Sequence, residues 1–276
     1  MQEFGVEQME SLTTLLASNP YPGRGIAVGL TPDGKNAALG YFVLGRSERS
    51  RNRVLVEQGD AIVTRAIDDR LVGDPSLILY KALAEAGGKT IVTNGAQTDT
   101  IARYLEEGST FEEALRTWDF EPDPPHYTPR ISALVSVEGG LRYRLALLRN
   151  RAGTTMRSFF EYEGIQGEGH FIHTYLGDGY PLPSFEREPF SVSIMNDMED
   201  WTHMLWYALH PENRVALLTR FIPLNGKPTT TRIVNAAETA HPRLRGGGGF
   251  SPPHPPPGGG PGWGGGAPQG GGGPHP

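Results

Sequence analysis

Short runs rich in apolar residues recur along most of this chain, separated by turn signals. Asn19-Pro20-Tyr21-Pro22-Gly23 is turn material, and Arg24 to Leu30 that follows reads as a strand. Thr31-Pro32-Asp33-Gly34 is strong hairpin chemistry, so Ala37 to Leu44 returns as the partner strand. Val54 to Glu57 and Ala61 to Ile67 form a second hairpin around Gly59-Asp60. Residues 1–17 have the spacing of a short amphipathic helix. Asp74-Pro75 combines a capping residue with a proline at the first helical position, which predicts a helix from Ser76 to Ala86 that contains Tyr80 and stops at Gly87-Gly88. Lys89 to Thr93 is a short strand and Asn94-Gly95 a turn. Thr98-Asp99 caps a helix reaching about Glu107, and Thr110-Phe-Glu-Glu113 has the form of a capping box. Pro122, Pro124 and Pro125 end helical structure. Six strands follow at 131–137, 141–148, 156–162, 170–176, 214–221 and 229–234, with one helix over 197–209. Paired strands joined by tight turns, with helices grouped between them, predict an α+β chain. Two antiparallel sheets with helices outside accommodate this order.

Composition changes the picture at one end. From Gly246 the sequence is almost all glycine and proline, with too little to bury to offset the entropy of ordering it. The expectation is therefore a globular body over 1–245 and a disordered, chemically idle tail over 246–276. The N-terminus has neither a basic start nor an apolar run, so it does not read as a secretory signal. No stretch approaches the ~18 apolar residues of a membrane span. These features predict a soluble cytoplasmic protein without a membrane partner. The chain has no cysteine, which excludes disulfides, thiolate metal sites and cysteine nucleophiles. The net charge of −6 argues against a nucleic-acid partner. Yet Arg46, Arg49, Arg51 and Arg53 cluster in one loop, and arginine forks suit phosphate or carboxylate. A small anionic ligand fits that local excess; a solvated loop fits it too.

Several familiar chemistries are missing. The chain has no Gly-rich phosphate loop ending in Gly-Lys-Ser/Thr and no Gly-x-Ser-x-Gly elbow. Gly164, Gly167 and Gly169 lack the spacing of a dinucleotide fingerprint. His170 and His173 point to opposite faces of a strand and have no evident third ligand, so no metal is expected. What remains are polar residues at element ends: Arg24, Asn52-Arg53, Tyr80, the run Thr93 to Thr100, Glu121, and Tyr127-Thr-Pro-Arg130. A turn followed by a helix start, as at Asn94 to Asp99, presents amides that hold an anion. Singly, each residue also serves as a turn, cap, packing or surface residue.

Together they carry a resemblance. Val-Thr-Asn94-Gly-Ala-Gln-Thr98-Asp99-Thr-Ile-Ala, with Asn19-Pro-Tyr-Pro-Gly23-Arg24-Gly-Ile-Ala-Val-Gly upstream and Asp119-Phe-Glu121 and Tyr127-Thr-Pro-Arg130-Ile downstream, resembles the archaeal-type IMP cyclohydrolase family over about residues 19–235. The resemblance implies a four-layer αββα sandwich like that of N-terminal nucleophile hydrolases, without self-processing. It implies closure of the ring of 5-formamidoimidazole-4-carboxamide ribonucleotide to inosine monophosphate and water, the last step of purine synthesis, with no cofactor. The substrate carries both reacting groups, so the protein must orient them, stabilise negative charge on the formyl oxygen and move protons. By the same resemblance, Arg53, Tyr80 and Glu121 are the catalytic candidates. Arg24, Arg46, Asn94, Thr98, Asp99, Thr128 and Arg130 are candidates for holding base, ribose and phosphate. Among Arg46, Arg51 and Arg53 the functional arginine stays open, because the basic loop is about two residues longer than the family pattern. A purine-nucleotide-binding protein without turnover and a formamide amidohydrolase are the competing functions. A homo-oligomer is left open.

Overall fold

The computed structural model describes residues 9–75, 78–225 and 228–240. The glycine/proline tail and the first residues of the predicted N-terminal helix lie outside the described residues. Helices are α1 (Leu12–Ser18), α2 (Glu48–Arg51), α3 (Gln97–Glu106), α4 (Phe111–Arg116), α5 (Met198–Ala208) and α6 (Ala236–Ala240). Strands are β1 (Arg24–Leu30), β2 (Asn36–Leu44), β3 (Val54–Gln58), β4 (Ala61–Arg65), β5 (Lys81–Ala86), β6 (Lys89–Thr93) and β7 (Arg130–Ser136). They continue with β8 (Arg142–Arg151), β9 (Thr154–Glu163), β10 (Glu168–His173), β11 (Phe190–Ser193), β12 (Arg214–Pro223) and β13 (Thr230–Asn235).

The chain is α+β, with two antiparallel sheets. One has six strands in the order β11-β10-β1-β2-β12-β13; the other runs β3 to β9 in chain order. Ile26, Val28, Leu39 and Tyr41 of the first sheet share a buried cluster with Leu83, Val92, Ile131 and Leu145 of the second. The opposite face of the first sheet packs Ala38, Phe42 and Leu217 against Leu12 and Leu16 of α1 and Trp201 and Leu205 of α5. The opposite face of the second packs Ile91, Leu134 and Ala146 against Ile101 of α3 and Phe111 and Leu115 of α4. Covering both faces explains why β1 is buried at every position and carries no hydrophobic-polar alternation. Among the described residues no helix is long and apolar enough to cross a membrane.

One predicted element is wrong in kind. The helix expected from Ser76 to Ala86 is the strand β5 over its second half, paired with β4 and β6. Lys-Ala-Leu-Ala-Glu-Ala has good helix formers, but six residues are too few to nucleate a helix alone, and propensity differences are tenths of a kcal/mol per residue. Two flanking strands and burial of Ala82, Leu83 and Ala84 outweigh that. Gly87-Gly88 is a hairpin turn, with φ of +56° and +71°, and not a helix stop. The basic segment also holds a short helix, α2, with a Ser47–Ser50 capping box. The box predicted at Thr110 and Glu113 is present. Helix α3 begins after Ala96 without a side-chain cap, so neither Thr98 nor Asp99 caps it.

Candidate active site

Strand ends from both sheets deliver a buried charged cluster. Arg24 opens β1 and Arg130 opens β7. Arg53 follows α2, where the Asn52 amide and the Asp68 backbone exchange two hydrogen bonds (2.7 and 2.8 Å) that pin the loop. Arg53 is thereby turned inward, 3% exposed, with its Nε donating to the Ser50 carbonyl at 3.0 Å. Glu121 lies 2% exposed between α4 and β7. Its carboxylate is 3.8 Å from Arg130 Nη1. Arg130 also donates from Nη1 to Gln97 Oε1 (3.0 Å) and from Nε to the Asp119 carbonyl (2.9 Å). Gly95 makes this approach possible: a Cβ there would stand 2.4 Å from Arg130 Nη1 and 2.7 Å from Gln97 Oε1.

The electrostatics are unusual. Burial raises the Glu121 carboxyl to about 7, against the pull of Arg24, Arg130 and Arg53 and with a further push from Asp123. Burial opposes the charge of Arg24, but Glu121 foremost, then the phenols of Tyr80, Tyr175 and Tyr21, more than offset it and raise its pKa. Burial and the neighbouring Arg24 lower Arg53. Among the described residues, Arg24 Nε and Arg53 Nη1 are buried donors without a hydrogen-bond partner. Such groups are costly, and two on adjacent cations favour an anionic or strongly polarised ligand.

Tyr80 enters this cluster from the residue just before β5, not from a helix. Its backbone pairs with Thr64, and its hydroxyl meets that of the buried Tyr41 at 2.7 Å. Tyr41 is not distinguished in the sequence: it lies among the apolar positions of the buried strand β2, and only packing reveals its partner. Tyr175, within a His-Thr-Tyr run that the resemblance also marks, has no role among the sequence candidates. Its ring stacks on Tyr21, and its hydroxyl contacts Thr128.

The other candidates divide. Thr128 is buried beside Glu121, whose N–H donates to the Thr128 carbonyl at 2.9 Å. Asn94 is fully buried, but its amide is spent on the Pro129 carbonyl (2.9 Å) and the Ile131 N–H (2.9 Å), tying the end of β6 to the start of β7. Thr98 is buried and donates to the Lys81 carbonyl at 2.6 Å. Asp99 is exposed and pairs with Lys81 at 2.7 Å, on the helix-covered side of the second sheet. Arg46 is exposed, stacked 4.7 Å over Tyr21 and donating to the Asp178 carbonyl. Arg51 donates to the Glu212 carbonyl on the surface, which leaves Arg53 as the buried arginine of the basic segment. Among the described residues no three His, Asp or Glu side chains are grouped to hold a metal ion.

A family model described as IMP cyclohydrolase-like protein matches residues 21–227. A protein of Methanopyrus kandleri named IMP cyclohydrolase is 29% identical over 196 residues, covering 66% of this chain and 98% of that protein. Proteins of the same name from Methanosphaera stadtmanae and Methanocella arvoryzae are 35% and 37% identical. Those alignments cover 43% and 42% of this chain and span only 59% and 58% of the two relatives.

Proposed function

The chain belongs to the IMP cyclohydrolase-like family, and on that premise we propose that it closes 5-formamidoimidazole-4-carboxamide ribonucleotide to inosine monophosphate and water. The observation that carries the reading is Glu121: a buried carboxyl poised near 7, with Arg24, Arg53 and Arg130 around it and Tyr80 in the same cluster. A group with a pKa near the working pH serves as base and then as acid.

The carboxamide nitrogen attacks the formyl carbon, forming the C–N bond and pushing electrons onto the formyl oxygen. Arg53 and Tyr80 stabilise that oxygen. Glu121 takes one hydrogen from the attacking nitrogen and returns it to the oxygen; the former formamido nitrogen then gives up its hydrogen, the C–O bond breaks as the ring C=N bond forms, and the oxygen leaves as water. Arg24 and Arg130 hold the carboxylate in place and bind the anionic ligand. Orientation supplies much of the remaining acceleration, since both reactants lie in one molecule. The substrate is a nucleotide, the location cytoplasmic and the residual candidates Thr98, Asn94, Asp99 and Arg46 act in support or at the rim. The layer order of helices and sheets supports a four-layer αββα sandwich akin to that of N-terminal nucleophile hydrolases. Residues 1–245 form the catalytic domain and 246–276 an idle tail; assembly into a homo-oligomer is compatible with this domain.

The test is purified protein with the formamido ribonucleotide and no added metal, followed by the absorbance change of ring closure. Binding of inosine monophosphate without turnover would support a binding protein instead. Release of formate would support an amidohydrolase.

A further inference from the structure

Ring closure leaves one hydrogen of the attacking nitrogen without a partner. The attacking amide nitrogen starts with two; Glu121 removes one, and the other stays on that nitrogen in the product. The residues around it are mostly donors: Arg24, Arg53 and Arg130 have no acceptor capacity. The hydrogen-bond chain through Thr128 ends on a buried hydroxyl with acceptor capacity, that of Tyr175.

The Thr128 N–H donates to Asp123 Oδ1 at 2.6 Å, and the Thr128 hydroxyl contacts both Asp123 Oδ2 and the Tyr175 hydroxyl. A carboxylate only accepts, so the single hydroxyl proton of Thr128 goes to Asp123. Thr128 Oγ1 then offers Tyr175 only lone pairs, and the phenol proton goes to Thr128. The phenolic oxygen of Tyr175 is left as an acceptor toward anything else. Its ring is held by stacking on Tyr21, with centroids 6.0 Å apart and 16° between planes. Its backbone N–H donates to the Pro22 carbonyl at 3.2 Å. Gly23 lies against the ring: at φ of +75°, a Cβ there would stand 2.6 Å from Tyr175 Cδ2. Thr128, which the hydroxyl contacts, accepts the Glu121 N–H at its carbonyl at 2.9 Å, and the hydroxyl lies in the field of Arg24, Asp123 and Glu121.

We propose that Tyr175 accepts the retained hydrogen of the attacking amide nitrogen, and that Thr128 and Asp123 are positioning residues that set the polarity of its hydroxyl. Two acceptors, Glu121 and Tyr175, then grip the two hydrogens of one nitrogen and fix the plane in which it attacks. The inference rests on the ring-closure reading, but it is read through binding and so fails separately from it.

The experiment is calorimetric titration of the full chain with inosine monophosphate and with the purine ribonucleotide lacking the 6-oxo group, whose corresponding ring nitrogen carries no hydrogen. Tyr175→Phe should weaken inosine monophosphate about tenfold, the worth of one neutral hydrogen bond, and leave the second nucleotide unchanged. Thr128→Ser keeps the hydroxyl and should bind as wild type; Thr128→Val should match Tyr175→Phe. Asp123→Asn lets the chain reverse, turning the phenol into a donor, so it should weaken inosine monophosphate selectively. It should also move the Glu121 limb of the pH–rate profile downward, because Asp123 is the negative neighbour that opposes its charge while Arg24, Arg130 and Arg53, which favour it, remain. Equal losses for both nucleotides, or no loss in Tyr175→Phe, would overturn the proposal. Failure of the wild type to bind inosine monophosphate would overturn it together with the ring-closure reading. Binding with this pattern but without turnover would sink the ring-closure reading alone.

Discussion

Glu121 is the residue on which the proposed chemistry turns. Its carboxyl is raised from 4.5 to about 7 by burial, so the native state holds a proton that the unfolded chain gives up earlier. A raised folded pKa contributes stability that is fully present below about 4.5 and lost as pH rises through about 7. Glu121→Gln keeps the shape without the charge. Its stability relative to wild type should therefore grow between pH 5 and pH 8, by on the order of 1–3 kcal/mol, in paired thermal or urea melts. The same variant should lose roughly 10²-fold or more in turnover, as should Tyr80→Phe, with circular dichroism unchanged. Near-normal rates in both would remove these two residues from the mechanism. In the wild type, the pH–rate profile should bend near 7 and that bend should vanish in Glu121→Gln. Gly95→Ala works from the other side of the cluster. The added methyl would stand where Arg130 and Gln97 now sit, so activity should fall by about tenfold or more while the arginine itself is intact.

At the level of elements, β5 shows how pairing outvotes propensity. The Gly87-Gly88 turn sets the register with β6, and no atom lies within 4 Å of a Cβ built at Gly88. Gly88→Val should thus destabilise through backbone strain alone, by roughly 1–2 kcal/mol in a denaturant melt, since a branched residue must take φ of +71°. A loss below the precision of the melt would show that the turn relaxes freely. Asn235 is a second device. At the end of β13 it reaches across to β3, accepting from the Leu55 N–H at 2.9 Å and donating to the Leu55 carbonyl at 3.0 Å. A side-chain amide thus satisfies the backbone of β3, the strand at the edge of its sheet among the described residues.

The whole molecule places the site where strand ends of the two sheets meet. β1 of one sheet brings Arg24; β7 of the other brings Arg130; the segments before β3 and β5 bring Arg53 and Tyr80. Closing the two sheets face to face buries these charges, and the burial lifts Glu121 and opposes Arg53. The site therefore should not survive loosening of the sandwich: partial unfolding in urea should abolish ring closure before the far-ultraviolet dichroism falls. The glycine/proline tail is the opposite case. Deleting residues 246–276 should leave rate and melting temperature within error of the full chain, and a large loss of rate would show that the tail takes part.

Much of the architecture was legible in residue order. Turn chemistry at Thr31-Pro-Asp-Gly34 and Gly59-Asp60 located two hairpins, and Thr110 with Glu113 located the start of α4, because caps and tight turns are local interactions between near neighbours. The family motif drew attention to Arg24, Arg53, Tyr80, Glu121 and Arg130, and the fold brings these together. The sequence by itself determined the α+β class, the change of composition at Gly246, and the pool of charged and hydroxyl groups from which a site could be built. Only the tertiary structure decided that 81–86 is a strand, because its partners β4 and β6 lie on either side in space. Only it selected Arg53 among the arginines of one segment, turned Asp99 out to Lys81 and set Tyr41 and Tyr175 beside the cluster. Burial and pairing between distant segments are what make a carboxyl titrate near 7, and no local pattern encodes them.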